Sequence, residues 1–310
     1  MEKVLILVGP TASGKTRLGI EISKLIRSEI VSADSRQIYK YLSIGTAKPT
    51  EEELTEAVHH FIDIYPPNKS YNAGQYSRDA RAVIKQLLDA DKLPIVVGGS
   101  GLYVKALVDG FSSEIESDDR IRLSLKSRLD TEGAESLYQQ LLKVDPETAQ
   151  KIHPNNTQRV MRALEVYLIT GKPFSAIRQV ESEPANFSPV FIGLNWNRES
   201  LYENINLRVD KMIDEGLIPE VAVLKRKGFH EDLNSLQTVG YKEVFSYFNG
   251  EITFDKMTQE IKKNTRRYAK RQLTWFRNDS RVNWFDVSKE TDFAALARQV
   301  FTFFKDYSNE

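Results

Sequence analysis

Over the first third of the chain, apolar residues fall into short continuous runs separated by helical stripes. Residues 4–8, Glu29-Ile30-Val31-Ser32 and Leu93-Pro94-Ile95-Val96-Val97 read as strands. Their lack of polar alternation marks strands covered on both faces. Leu18, Ile22 and Leu25 recur at helical spacing after the first run, and Ala80, Val83, Ile84 and Leu87 do so in a helix predicted over 76–90. His59-His60-Phe61-Ile62-Asp63-Ile64 is a candidate short strand. Strands alternating with helices imply a parallel sheet, in which ligands sit beyond the carboxyl ends of the strands. Those ends carry Gly9, Asp34 and Gly98-Gly99-Ser100.

From about Ser112 the texture becomes charged and helical, without a strand-like run until Pro189-Val190-Phe191-Ile192-Gly193-Leu194. The expected organisation is an α/β core beginning in residues 1–112, a helical insertion domain over 113–187, and a return to the core with C-terminal helices over 188–310. Within the insertion, Val160, Leu164, Tyr167 and Leu168 lie on a helix over 155–169, closed by Gly171 and Pro173. Leu201, Ile205, Val209, Met212 and Ile213 form another stripe ended by Gly216, and a further helix runs from near Pro219 to Gly228. In the last long helix Met257, Ile261, Tyr268, Gln272 and Phe276 share one face. Lys263, Arg266, Arg267, Lys270 and Arg277 spread along the other, with Lys262 and Arg271 beside them and only Glu260 nearby to offset them. Such a run is as readily a solvated face as a contact to a phosphate backbone.

The bulk composition narrows the options without deciding among them. With 43 basic and 43 acidic residues in 310, the formal charge is zero, so attraction to nucleic acid must come from local patches. The absence of cysteine excludes disulfides, thiolate metal sites and a cysteine nucleophile. No apolar run approaches the length of a membrane span, and the N-terminal one is too short for a signal peptide. The expectation is a cytoplasmic, monomeric protein with no membrane partner.

The most informative motif is Gly9-Pro10-Thr11-Ala12-Ser13-Gly14-Lys15-Thr16, which fits G-x-x-x-x-G-K-[ST] between a strand and a helix. Its glycines let backbone N–H groups turn inward on an anion, Lys15 adds a mobile positive charge, and Thr16 offers a hydroxyl to Mg2+. Chance would produce this pattern in about one chain of this length per hundred. A standard nucleotide hydrolase also needs an apolar strand ending in Asp to hold magnesium. The best strand here ends instead in Gly98-Gly99-Ser100, with Asp63 as a substitute on a short run. His59 and His60 are adjacent in a strand and point to opposite faces, which disfavours a shared metal. Asp34, following the second strand, is either a cap for the next segment or a general base or water-mediated magnesium ligand. Arg36 and Gln37 beside it carry groups able to read a base edge or a phosphate.

Ten ordered blocks give the chain a resemblance to the tRNA dimethylallyltransferase (tRNA isopentenyltransferase) family over nearly its whole length. Besides residues 9–16 these are Asp34-Ser35-Arg36-Gln37-Ile38-Tyr39, Gly45-Thr46-Ala47-Lys48-Pro49, His60-Phe61-Ile62-Asp63, Tyr71-Asn72-Ala73-Gly74-Gln75 and Val97-Gly98-Gly99-Ser100-Gly101-Leu102-Tyr103. The later ones are His153-Pro154-Asn155-Asn156, Gln158-Arg159-Val160-Met161-Arg162-Ala163-Leu164-Glu165, Val239-Gly240-Tyr241-Lys242-Glu243 and Tyr268-Ala269-Lys270-Arg271-Gln272-Leu273-Thr274-Trp275-Phe276.

The resemblance implies a P-loop parallel sheet core flanked by helices. It implies transfer of a dimethylallyl group from dimethylallyl diphosphate to N6 of adenosine 37 in the tRNA anticodon stem-loop. Residues 9–16 then hold the donor's diphosphate, with Lys15 and Mg2+ at Thr16 stabilising it as it leaves, and Asp34 takes the acceptor's proton. Family contacts to tRNA carry over onto Asp34, Ser35, Arg36, Gln37, Ser100, Gln158, Arg159, Val160, Met161, Arg162, Lys270 and Arg271, and Arg122 matches a further tRNA-facing site. Ser100 stands where the family usually has Thr, which keeps the hydroxyl but loses the methyl that stiffens it. The alternatives from the residues alone are a prenyltransferase acting on free adenine nucleotides, a small-molecule P-loop kinase and a non-catalytic nucleic-acid-binding ATPase module.

Overall fold

Six strands assemble one parallel sheet: β1 at Lys3–Val8, β2 at Ile30–Ser32, β3 at His59–His60, β4 at Ile95–Val97, β5 at Ser188–Trp196 and β6 at Val282–Val287. Their spatial order is β3-β2-β4-β1-β5-β6. This computed structural model describes residues 1–110, 115, 118–178 and 183–307. The boundary expected at 112/113 lies outside the described residues.

The continuous apolar run of β1 follows from cover on both sides. Val4, Ile6 and Val8 enter one core cluster and Leu5 and Leu7 the other, all at most 1 % exposed. Burial on that scale contributes about 1.5–3 kcal/mol per aliphatic side chain. Helix Lys15–Ile26 packs through Leu18, Gly19, Ile20, Ile22 and Ser23, whereas Leu25 is exposed. Gly19 allows a close approach: a Cβ there would stand 2.8 Å from Val97 Cγ2, so its absence lets the helix settle on β4.

The candidate strand at 59–64 shortens to its two histidines. Phe61 and Asp63 both take positive φ, 66° and 54°, and end the extended run. His60 Nε2 meets Glu29 at 2.8 Å and His59 Nδ1 meets the Ala57 carbonyl at 2.8 Å, which are structural partners for each ring. β6 and helix Phe293–Asp306 complete the C-terminal side of the sheet and lie beyond the elements expected from periodicity.

The chain divides into two compact units, Met1–Val108 with Ala185–Glu310, and Asp109–Pro184. The second is wholly helical among its described residues, with helices Asp119–Val144, Pro146–Lys151, Thr157–Thr170 and Phe174–Arg178. Leu125, Leu137, Leu141, Ala149, Val160, Ala163 and Leu164 form its own core. Asp145 joins three of its segments, capping helix Pro146–Lys151 at the Thr148 N–H and accepting from the N–H and hydroxyl of Ser175.

Candidate active site at the carboxyl ends of the strands

The ends of β1, β4 and β2 are knitted together by backbone hydrogen bonds. Gly98 N–H donates to Leu7, Ala33 N–H to Val97, and Ser100 N–H to Ala33. With strands about 4.8 Å apart, the loop after β1 and the turn after β2 stand roughly 10 Å from each other across β4.

Residues 9–16 wrap the start of helix Lys15–Ile26 with Gly9 at φ 139° and Gly14 at φ 89°, angles that a side chain resists. Other elements hold this loop from below. Trp196 Nε1 donates to the Ser13 carbonyl at 3.0 Å, and a Cβ on Gly14 would run into the ring of Phe293 at 2.4 Å. The loop's own polar side chains have few partners. The Ser13 hydroxyl is buried without a hydrogen bond, and Lys15 Nζ folds back onto the Pro10 carbonyl at 2.5 Å.

Crowding by protein pulls the Lys15 ammonium down to about 7, helped by repulsion from Arg208 and opposed by Asp34. Arg208, on helix Arg198–Asp214, has no hydrogen bond or ion pair among the described residues, and desolvation pushes against its charge while Asp34 supports it. Two cations and an orphan hydroxyl therefore converge where a phosphate would sit. Arg208 escaped the sequence reading because one charged residue beside an apolar stripe looks like an ordinary surface position.

Asp34 begins the turn after β2. Its Oδ1 accepts the N–H groups of Arg36 at 2.8 Å and Gln37 at 3.3 Å. This is the capping geometry, and it leaves the second carboxylate oxygen clear of those bonds. The Ser100 hydroxyl accepts the Ser35 N–H at 3.0 Å and meets Ser35 Oγ at 3.3 Å. Gln37 is engaged at both ends of its amide. Nε2 donates to Thr46 and Ala47 carbonyls at 3.2 and 2.9 Å, and Oε1 faces Ser32 Oγ at 3.4 Å. Arg36 donates to the Asn234 carbonyl at 2.6 Å. Asp63, the expected substitute at a strand end, instead pairs with Lys48.

Helix Phe254–Arg277 lies against the turn after β4 through Tyr268, Gln272 and Trp275. Tyr268 stands beside Ser100, and its hydroxyl is pushed up to about 12, chiefly by burial and next by Asp34. Gln272, 6 % exposed, accepts the Thr11 N–H at 2.8 Å and donates to the Gly99 carbonyl at 2.9 Å, fastening the helix to the phosphate loop. A Cβ on Gly99 would strike Gln272 Nε2 at 2.2 Å, and one on Gly101 would strike Trp275 Nε1 at 2.3 Å. These glycines are gaps for the helix's side chains. Lys262 pairs with Asp210 and Lys263 with Glu260, and Arg266 bonds Asn206, leaving Arg267, Lys270 and Arg271 exposed without an ion pair among the described residues. Arg271 rests over the Tyr268 ring at 5.7 Å.

In the helical unit, Glu165 is nearly buried and binds both Arg162, at 2.8 Å, and Arg122, at 2.9 Å. Arg162 also donates to the Ile115 carbonyl. Gln158 and Arg159 are exposed on the first turn of their helix. Val160 is 1 % exposed inside the unit's core, so its side chain is not available to a partner, and Met161 packs against the same core.

No group of three metal-ligating side chains occurs among the described residues. The Thr16 hydroxyl and the Asp34 carboxylate are hard oxygen donors of the kind Mg2+ takes, with the remainder of its shell left to phosphate oxygens and water.

An IPP transferase family model matches residues 37–279. The chain is 45 % identical over 305 residues to the tRNA dimethylallyltransferase of Caldanaerobacter subterraneus subsp. tengcongensis, covering 97 % of each protein. It is 44 % identical to that of Bacillus subtilis (strain 168) over 302 residues, 97 % of this chain and 96 % of the relative. Among solved structures it is similar to a full-length tRNA isopentenylpyrophosphate transferase from Bacillus halodurans, with TM-score 0.72, 38 % identity and coverage of 99 and 98 %. It is also similar to a eukaryotic dimethylallyltransferase acting on tRNA, with TM-score 0.82, 26 % identity, and 98 % of this chain covering 80 % of that one.

Proposed function

Because the chain belongs to the tRNA dimethylallyltransferase family, we propose that it transfers the dimethylallyl group of dimethylallyl diphosphate to N6 of adenosine 37 in the tRNA anticodon loop. The observation that carries this reading is the pairing of a cationic pocket at the loop after β1, where Arg208 has no hydrogen bond or ion pair among the described residues, with a braced carboxylate after β2. The donor's C1–O bond breaks and its electron pair leaves with diphosphate. The N6 lone pair forms the new bond to C1, and the N6 proton passes to Asp34. Exocyclic N6 is a poor nucleophile while its lone pair is delocalised into the ring, so removing that proton is where a base contributes.

Lys15, Arg208, the Ser13 hydroxyl and the N–H groups of residues 9–16 stabilise the departing negative charge. Mg2+, held at Thr16 and through water at Asp34, would neutralise further charge on the leaving group. Adenosine must leave its stack to reach Asp34, with Ser35, Arg36 and Ser100 lining its path and Gln37 fixing the turn. Tyr268 offers a ring and a hydroxyl at the same place. Exposed Arg267, Lys270 and Arg271 on one unit, and Gln158, Arg159, Arg122 and Arg162 on the other, supply groups for the RNA backbone. The protein acts as a cytoplasmic monomer in this reading, and no helix among the described residues is long and apolar enough to cross a membrane.

A kinase or ATPase reading lacks a carboxylate at the end of the strand beside β1, which runs into Gly98, and Asp63 is engaged by Lys48, so that reading would have to draw on Asp34. The test is incubation with radiolabelled dimethylallyl diphosphate, Mg2+ and either unmodified tRNA or AMP. Label at an adenosine of tRNA is expected. Label in AMP alone, or ATP turnover without transfer, overturns the proposal.

A further inference from the structure

Two sequence blocks, Gly45-Thr46-Ala47-Lys48-Pro49 and Val239-Gly240-Tyr241-Lys242-Glu243, have no part in the phosphate chemistry above. They meet at one carboxylate. Glu220, on helix Leu217–Arg226, accepts the N–H groups of Ser43 and Ile44 on Oε2 at 2.9 and 2.8 Å. Its Oε1 accepts the Gly45 N–H at 3.2 Å and the Tyr241 hydroxyl at 2.6 Å. Gly45 allows this approach, because a Cβ there would stand 2.5 Å from the Tyr241 ring.

All four partners are donors. An ionised carboxylate accepts from four at once, whereas a glutamine in its place would turn an NH2 group toward N–H groups. The loop held in this way ends at the two carbonyls, Thr46 and Ala47, that receive the Gln37 amide. Gln37 in turn donates its N–H to Asp34. A continuous set of hydrogen bonds, up to 3.3 Å long, thus runs from Glu220 through the loop over 43–47 to the turn that carries Asp34, where the Arg36 N–H adds a second bond at 2.8 Å.

We propose that Glu220 is a positioning residue for the transfer, clamping this loop so that Gln37 holds Asp34 where it takes the acceptor's proton. This rests on the reading of Asp34 as the base. Displacing a reacting group by about 1 Å costs on the order of 100-fold in rate, which sets the scale of the effect expected when the clamp is lost. The phosphate loop has separate supports in Trp196, Phe293 and Gln272, so donor binding does not depend on Glu220.

The experiment measures single-turnover transfer to tRNA and donor affinity in Glu220→Gln, Gln37→Ala and the double variant, with thermal unfolding as a control. Glu220→Gln is expected to slow transfer by about 10–100-fold, with donor Kd within about twofold of wild type. The double variant is expected to be within about twofold of the slower single one, because both changes release the same loop. A folded Glu220→Gln at the wild-type rate, additive losses in the double variant, or rate and donor affinity falling together with the folded fraction would each overturn the clamp. Should Glu220→Gln fail to fold, Tyr241→Phe removes one of the four bonds. A roughly threefold or larger slowing at unchanged donor Kd supports the clamp, and smaller changes overturn it. Asp34→Asn serves as the reference. Normal turnover in that variant overturns the reading of Asp34 itself, whereas lost turnover there with wild-type turnover in Glu220→Gln overturns the clamp alone.

Discussion

The strand ends on either side of β4 are built on opposite plans. After β1, the backbone is pinned by Trp196, Phe293 and Gln272, but among the described residues the polar side chains of the pocket have little to bind: an orphan Ser13 hydroxyl, Lys15 turned back on its own loop, and Arg208, from helix Arg198–Asp214, without a hydrogen bond. After β2 the side chains are engaged, with Asp34, Ser35, Gln37 and Ser100 bonded to one another or to the neighbouring loop. A site for a multiply charged anion gains by keeping cations unpaired, because the ligand repays their desolvation. A base that must take one proton from one atom gains by being unable to wander.

Breaking the cationic side should have the largest effect. Lys15→Ala is expected to lower kcat/KM for dimethylallyl diphosphate by about 1,000-fold, since it removes a cation from the proposed leaving-group pocket; a loss under about tenfold in steady-state assays contradicts that role. Arg208→Gln should raise the donor KM by about 10–100-fold, with a smaller change in the KM for tRNA. Equal changes for both substrates would place Arg208 outside the donor pocket.

On the braced side, Ser100→Ala removes the acceptor for the Ser35 N–H and a neighbour of Tyr268, and turnover should fall by about one order of magnitude. Wild-type kinetics would remove Ser100 from the account. The smallest effect is a proton count. With Lys15 held down to about 7, the free protein is mostly neutral there at pH 8.5, while bound diphosphate favours the ammonium. Donor binding at pH 8.5 should therefore take up about one proton, and affinity should fall as pH rises above 7. Titration calorimetry in buffers of different ionisation enthalpy measures this, and no uptake would contradict the shift.

The parts legible in the chain were those where periodicity or a motif was strong. The run after Lys3 and the motif over 9–16 located the strand and the loop that leads into helix Lys15–Ile26, and the stripe through Ile261 and Phe276 located the helix that fastens that loop. Strand β6 was not legible because Val282-Asn283-Trp284-Phe285-Asp286-Val287 mixes buried, partly buried and exposed positions at the sheet's edge. Leu25 misled because it keeps the spacing of the stripe but lies in the last turn of its helix, where it is exposed. Gln272 was assigned to an apolar face, where a buried amide is itself the signal of a strut. Glu220 bonds residues far along the chain and Arg208 comes near Lys15 and Asp34 only in the fold, which no local pattern names.

The division of labour between the two strand ends is tested most directly by Asp34→Asn, following donor binding and single-turnover transfer to unmodified tRNA in the same preparation. Transfer is expected to be slower by about 1,000-fold or more, while donor Kd weakens by no more than about tenfold, the share Asp34 has in holding Mg2+ and in supporting the charges of Lys15 and Arg208. A transfer rate near wild type would make Asp34 a turn cap and nothing more, and an equal loss of donor binding would contradict the separation of the two sites.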